Sequence, residues 1–310
     1  MVGDVAPPAA RSRWAAGWRP VARTVTAPAA WFFAAIWLIA LAVLGARGHL
    51  DRALGAPVVL LPVLFFVWLT VLLTDDPPEH ATVKSSKPRL VVQLLVVLAI
   101  AALFGLSVMS VFGVGPQGLG SIPVWSGIFN CLLGLGRALP VAAPAAISNP
   151  VLQLALPLVL LLALGATLRD LGFVRGHRVG RVLALWCIPQ FVNLGFLIFT
   201  GHAQALQLIG VFIRNGFQDG PVEEFLFRGA LQTRLSFLLG GSWGLVLSAL
   251  TFGVWHVGAN ARFETGGDLL SAACAGIAGQ APYGIAFGVI FQRSRNLLAG
   301  SVLHMLIDLP

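Results

Sequence analysis

Long apolar runs alternate along this chain with short polar joints. Apolar runs fill 29–46, 56–73, 90–114, 151–168 and 182–200, and four more fill 221–239, 243–258, 269–291 and 296–308. Most reach the length a helix needs to cross bilayer hydrocarbon, about 20 residues. Inside lipid a helix satisfies its own backbone polar groups. The pattern therefore predicts an all-α, polytopic transmembrane helical bundle of about eight or nine spans. In the second span Pro57 and Pro62 lie toward the N-terminal end, where proline costs least. In the fifth, Gln190 and Asn193 are expected to face something other than lipid.

Between these runs, 115–150 is Gly/Pro-rich and mildly apolar, and reads as a loop with an interfacial or re-entrant segment around 125–139. Segment 201–220 fits a short amphipathic helix ending near Arg214. After it, Asp219 or Gly220 can cap the next helix, Pro221 suits its first turn, and Gly240-Gly241 ends it. The Gly-rich run 269–291 holds Pro282, which predicts a kinked helix packed closely on its neighbours.

Composition agrees with the pattern. The chain is 57% hydrophobic and 10% charged, whereas a soluble domain carries about 25% charged residues. The net charge of +8 does not indicate nucleic acid, because the arginines sit between apolar runs rather than along one face. Their placement fits topology instead. The tail has Arg11, Arg13, Arg19 and Arg23, the joint at 74–89 has Lys84, Lys87 and Arg89, and the joint at 169–181 has Arg169, Arg175, Arg178 and Arg181. The joints between these are lighter: Arg47 with Arg52, then Arg137 alone. The heavy joints should be cytoplasmic, giving a cytoplasmic N-terminus in a multi-pass protein of the cell (plasma) membrane. The first run is as long as a full span, so it reads as a retained helix rather than a signal peptide. Cys131, Cys187 and Cys274 match no metal or redox spacing, which excludes a disulfide framework and cysteine catalysis.

Almost every acid lies in a joint. The exceptions are Glu223 and Glu224, side by side in the sixth run, and Asp308 in the last. Ionisable groups at bilayer depth are costly and mark function by default. Arg228 follows Glu224 by one helical turn, Phe252-x-x-x-His256 lies on the next helix, and His304-x-x-x-Asp308 closes the chain. Four-residue spacing puts each pair on one helix face. A helix start and two helix ends fall on the same side of the membrane, so these residues can meet whichever side is cytoplasmic. Taken singly, Glu224 with Arg228 could be a structural ion pair, His256 a satisfied core histidine, and His304 with Asp308 a hydrogen-bonded pair near the interface. Together, a carboxylate beside histidines in a partly dry pocket suits activation of water for attack on an amide carbonyl. His-Glu-x-x-His is absent, which excludes the usual zinc-helix protease on motif.

Glu-Glu-x-x-x-Arg, Phe-x-x-x-His and His-x-x-x-Asp in this order resemble the CPBP family of intramembrane proteases, which includes CAAX prenyl protease type 2 and bacteriocin-processing or self-immunity (Abi) proteins. The resemblance covers about 216–308, and Ser248 also fits it. It divides the chain into a polar tail (1–28), N-terminal transmembrane helices (29–200) and a catalytic helical core (201–310). It implies that Glu223 activates water, that Glu224 supports it through Arg228, that His256 holds the water, and that His304 with the residue four after it forms the oxyanion hole. Where members with a clear oxyanion role carry Asn, this chain has Asp308. An ionised Asp cannot donate a hydrogen bond, so Asp308 is protonated, orients His304 or ligates a metal. A divalent metal, zinc above all, would take Glu223, His256 and His304 as ligands. The implied substrate is a membrane-associated or lipidated peptide, with the bilayer as partner and no nucleic acid. Two other classes of function compete: a non-catalytic scaffold or immunity factor keeping the fold, and a proton-coupled transporter. The latter should show an internal repeat, and none is present in the sequence.

Overall fold

The computed structural model describes residues 26–74, 85–115, 122–139 and 144–309. Most of the polar tail expected over 1–28 and most of the joint at 74–89 lie outside the described residues. Among those residues all regular structure is helical. The helices are α1 (Pro28–Ala46), α2 (Leu50–Leu73), α3 (Lys87–Val111), α4 (Trp125–Arg137), α5 (Ala145–Ala163), α6 (Val179–Phe199) and α7 (Ala205–Gln218). They continue with α8 (220–239), α9 (Gly241–Phe263), α10 (Leu269–Ser294) and α11 (Leu297–Ile307).

Seven of these helices, α1, α2, α3, α5, α6, α9 and α10, are long and apolar enough to cross a membrane. The other two expected spans exist as helices but differ in kind. With 11 residues, α11 is short for a crossing. α8 is interrupted by Glu223, Glu224, Arg228, Gln232 and Arg234, and it sits inside the bundle instead of against lipid. Every residue from Val222 to Leu235 is buried. Its polar side chains are met by neighbouring helices: Arg234 Nε donates to Gln93 Oε1 (3.1 Å) and Gln232 Nε2 to the Gly288 carbonyl (3.1 Å). Helices α3, α9, α10 and α11 pack around it.

Other departures have local causes. α2 starts at Leu50, so Pro57 and Pro62 fall inside the helix; buried neighbours can re-satisfy the carbonyls that proline frees. Asn193 is exposed on the outer side of α6, beside Phe191 and Val192, while Gln190 is half-buried. In place of a simple proline kink, α10 widens to a π-helical stretch at Gly276–Gln280, just before Pro282. A π turn absorbs an extra residue within a continuing helix. Helices α9 and α10 touch there through backbone: a Cβ on Gly276 would lie 2.1 Å from the Gly253 carbonyl oxygen.

Two sets of polar contacts clamp the helix ends. On one face Arg47 Nε bonds Asp268 Oδ2 (2.7 Å) and Arg52 Nη1 lies 3.1 Å from Glu264 Oε2, joining the α1–α2 turn to the α9–α10 turn. On the opposite face Arg293 Nε donates to Thr74 Oγ1 (2.8 Å) and the His177 amide to the Ser294 carbonyl (2.6 Å). The first face holds the start of α8 and the end of α11. The second holds the joints that carry Arg169, Arg175 and Arg178.

Candidate functional site

The site is assembled where α8 begins and α11 ends. Asp219 precedes the first turn of α8, Pro221 occupies that turn, and Glu223 and Glu224 complete it. α11 comes very close here because both helices present glycine. A Cβ on Gly220 would lie 2.5 Å from Met305 Cγ and 2.8 Å from the Ser301 carbonyl. A Cβ on Gly300 would lie 2.7 Å from Glu224 Oε2, so the missing side chain is the space that carboxylate occupies. From α7, Asn215 Nδ2 donates to the Asp308 carbonyl (3.3 Å) and fixes the end of α11. Immediately after the glutamates α8 opens into a π-helical stretch, Phe225–Gln232, which carries Arg228. Such stretches are frequent at functional sites. Ser248 Oγ of α9 donates to the Phe227 carbonyl (2.9 Å), tying α9 to that stretch.

Glu224 is the fully engaged carboxylate. Its Oε1 lies 3.0 Å from Arg228 Nη1 and 3.1 Å from His304 Nδ1. The Arg228 guanidinium is 1% exposed and stands over the rings of Phe252 (4.4 Å) and Phe287 (4.9 Å). Ring faces carry negative potential and attract such a cation. His304 stacks on the other partner of that sandwich, Phe287, with centroids 4.7 Å apart. Its second nitrogen, Nε2, faces Glu223 Oε2 at 3.7 Å and Asp308 Oδ2 at 3.4 Å. Both ring nitrogens thus face carboxylates, and an imidazole can donate from both only when it is protonated.

Glu223 differs from its neighbour. It is buried, yet its Oε2 has no hydrogen-bond partner among the described residues. Asp308 is the most accessible member, with its side chain 36% exposed. His256 is half-buried and stands at a break in α9, between Gly241–Trp255 and Val257–Phe263. Its Nδ1 lies 2.7 Å from the Phe252 carbonyl, the acceptor its own amide would use in a regular helix, and that amide turns to Gly253 instead. With Nδ1 held, Nε2 is the nitrogen left for other chemistry. The Phe252 ring is the common wall: it meets His256 edge-on at 4.7 Å and His304 edge-on at 5.8 Å.

Of the six residues singled out in the sequence, Glu223, Glu224, Arg228, His304 and Asp308 are joined by contacts of 3.0–3.7 Å. His256 reaches them across Phe252, without a direct hydrogen bond to either glutamate. Among the described residues no three of His, Cys, Asp or Glu gather as a metal-holding group. Three contributors escaped sequence reasoning. Gly300 precedes His304 by one turn, a spacing that could have flagged it. Phe287 is one of 20 phenylalanines and carries no signal of its own. Asn215 lies in an amphipathic helix that shows no sign of its partner.

What fold and site define is a multi-pass helical membrane protein with a carboxylate–imidazole cluster buried near one end of the bundle. Residues 204–310 match the Rce1-like family model, type II CAAX prenyl endopeptidase Rce1-like, in agreement with the resemblance carried by the three motifs. The matched stretch is about a third of the chain and contains α7 to α11 and all six site residues. No curated protein and no solved structure matches the chain.

Proposed function

We propose that this protein is a glutamate-dependent intramembrane endopeptidase acting on membrane-associated or lipidated peptides. The observation that carries the reading is the asymmetry of the glutamates. Glu224 is committed to Arg228 and His304, whereas Glu223 keeps a buried carboxylate oxygen with no hydrogen-bond partner among the described residues. A buried acceptor left without a partner is costly, and a water donating to it would be both held and polarised. Glu223 then takes a proton from that water as its oxygen bonds to the scissile carbonyl carbon. The carbonyl π electrons move to oxygen, and the resulting oxyanion is met by N–H groups. When the C–N bond breaks, the proton on Glu223 passes to the leaving amine.

His256 Nε2 and His304 Nε2 supply the polar contacts around that centre, His256 to the water and His304 to the oxyanion. Asp308 works as an acceptor that orients His304, since a carboxylate cannot take the donor role an Asn would have. Arg228 holds the Glu224 carboxylate at 3.0 Å, and Glu224 in turn holds the His304 ring at 3.1 Å. The reaction as proposed uses protein groups alone. The catalytic unit is 201–310, with α1 to α6 as its membrane scaffold. The heavier positive charge of the opposite face makes that face cytoplasmic and opens the site to the other side.

The test uses purified protein in detergent or nanodiscs with a quenched, membrane-tethered peptide. General-base removal typically costs about 10²–10⁴ in rate, so Glu223→Gln should lower kcat by at least about 100-fold while the thermal midpoint stays within a few degrees. Unchanged cleavage by a folded Glu223→Gln protein would sink the reading.

A further inference from the structure

Helix α7 enters and leaves on one face of the bundle. α6 and α11 begin together on the far face, where Asn296 Nδ2 donates to the Val174 carbonyl, and they run side by side. Toward the site they meet again, with Leu194 of α6 and Leu306 of α11 in one apolar cluster. α6 therefore ends on the face where α11 ends and α8 begins, and α7 joins that end to that beginning. Its 14 residues reach about 21 Å at 1.5 Å per residue, short of the roughly 30 Å of bilayer hydrocarbon. A helix that starts and stops at one membrane face and is too short to cross lies along that face.

The side chains of α7 divide into three strips. Leu208, Phe212 and Asn215 turn inward: the first two pack with Cys187, Leu194 and Leu306, and Asn215 holds the end of α11. Leu206, Ile209, Ile213 and Phe217 recur at intervals of three and four on the opposite side and are 55–82% exposed. At 3.6 residues per turn a third strip, Gln207, Arg214 and Gln218, falls between the other two, about a quarter turn from the apolar side. Gln207 and Arg214 are exposed and Gln218 is half-buried. Polar groups on a single flank suit an element at the edge of a bundle in a bilayer, with helices on its inner side, acyl chains on its outer side and head groups above. An arginine reaches the head groups along its alkyl stem. The apolar strip also follows directly on the lipid-facing end of α6, where Phe196 and Phe199 are exposed.

We propose that α7 is an in-plane helix of the leaflet on the site's side, with Leu206, Ile209, Ile213 and Phe217 among the acyl chains and Gln207 and Arg214 at the head groups. The inner strip ties that leaflet to the site. Asn215 Nδ2 donates to the Asp308 carbonyl (3.3 Å), and Asn149 Nδ2, at the start of α5, donates to the Gln218 carbonyl (2.6 Å). Gly216 lets Met305 of α11 come close: a Cβ there would lie 3.1 Å from Met305 Cε. The helix seated in the leaflet thus holds the ends of α5 and α11, and the leaflet boundary sets the level at which Asp308 stands.

The test measures depth in the full-length protein, so it is independent of peptide cleavage. Nitroxide labels are placed one at a time at Ile209→Cys, Ile213→Cys and Gln207→Cys in phosphatidylcholine nanodiscs, with Ile188→Cys in the middle of α6 as the deep reference. Cys131 is exposed and is replaced by Ser throughout, while Cys187 and Cys274 are buried and stay. All four labelled positions are exposed, so the variants should remain monodisperse. Leu206→Cys and Phe217→Cys report on the same strip should either isoleucine variant aggregate. Accessibility to oxygen against a water-soluble nickel complex should put 209 and 213 about 5–10 Å below the head groups. Position 188 should be deeper, and 207 should lie at or above the head groups. A label at 213 as accessible to nickel as one at 207 would place the strip in water and overturn the proposal. Shielding of 209 and 213 from both reagents, or dipolar broadening between labels at 213 on two molecules, would also overturn it, because the strip would then be covered by protein.

Discussion

Replacing Arg228 with Met tests whether the Glu224–Arg228 pair is a buried electrostatic unit or only packed volume. Both side chains are 1% exposed, and their charged atoms are 3.0 Å apart. Met fills similar space without charge, so the main effect is an uncompensated Glu224 carboxylate. Breaking a buried pair from one side costs about 3–5 kcal/mol. His304 Nδ1, 3.1 Å from the same oxygen, remains as a partial counter-ion and moves the expectation to the lower end. Losing the cation between Phe252 and Phe287 adds a further contribution of up to about 2 kcal/mol for a desolvated site. Glu224→Gln in the same chain removes the stranded charge while its amide oxygen can still accept from His304. The double variant should therefore be more stable than Arg228→Met alone, by about 2–3 kcal/mol. Unfolding in mixed micelles can be followed through the nine tryptophans. If Arg228→Met costs under about 1 kcal/mol, or if adding Glu224→Gln destabilises further, the charges are not coupled as argued. Recovery of stability need not restore cleavage, because the carboxylate that holds His304 would still be gone.

Three further outcomes follow from geometry. Gly300→Ala places a methyl 2.7 Å from Glu224 Oε2; overpacking of this kind costs about 1–3 kcal/mol. It should displace the carboxylate and lower kcat more than it changes KM, and wild-type kcat in this variant would show that the close approach is irrelevant. Gly276→Ala drives a methyl to 2.1 Å from the Gly253 carbonyl oxygen, whereas Gly279 in the same π-helical stretch has nothing within 4 Å. Gly276→Ala should abolish the monodisperse folded protein on size-exclusion chromatography, and Gly279→Ala should behave as wild type; equal behaviour would refute the backbone contact between α9 and α10. Asp268 caps α10 and is drawn down from 3.8 to about 2 by hydrogen bonds from Ser271 and then Arg47. A depressed carboxyl contributes stability above its unfolded value and loses it as pH falls through the folded one. The thermal midpoint of wild type should therefore drop between about pH 4 and 2 more steeply than that of Asp268→Asn, and parallel curves would refute the assignment.

The legible part of this protein was set by lipid and by spacing. Apolar runs announced the helices because a bilayer permits little else, and four-residue intervals announced Glu224–Arg228 and His304–Asp308 because one helical turn brings them together. The same logic announced α8 as a helix but was silent on its place inside the bundle. Its runs Phe225-Leu226-Phe227 and Ala230-Leu231 resemble a lipid-facing helix, but Arg228, Gln232 and Arg234 on the remaining sides need protein partners, and only a place inside the bundle supplies them. The pairing of Glu224 with Arg228 was readable from the four-residue interval, but the unpartnered oxygen of Glu223 was not. Glu224 both meets Arg228 across a π-helical stretch and fills the gap left by Gly300, which leaves Glu223 outside those two contacts, and a backbone widening of that kind leaves no periodic trace. His256 shows the limit most clearly. Its spacing from Phe252 predicted a shared helix face, and the structure gives that spacing a second use: the ring takes the carbonyl at Phe252, the helix breaks at the histidine, and Nε2 is left as the ring nitrogen not held by the backbone. A histidine that interrupts its own helix is held by backbone rather than by a second side chain, so its orientation should survive substitutions at Glu223 and Glu224 that would release His304.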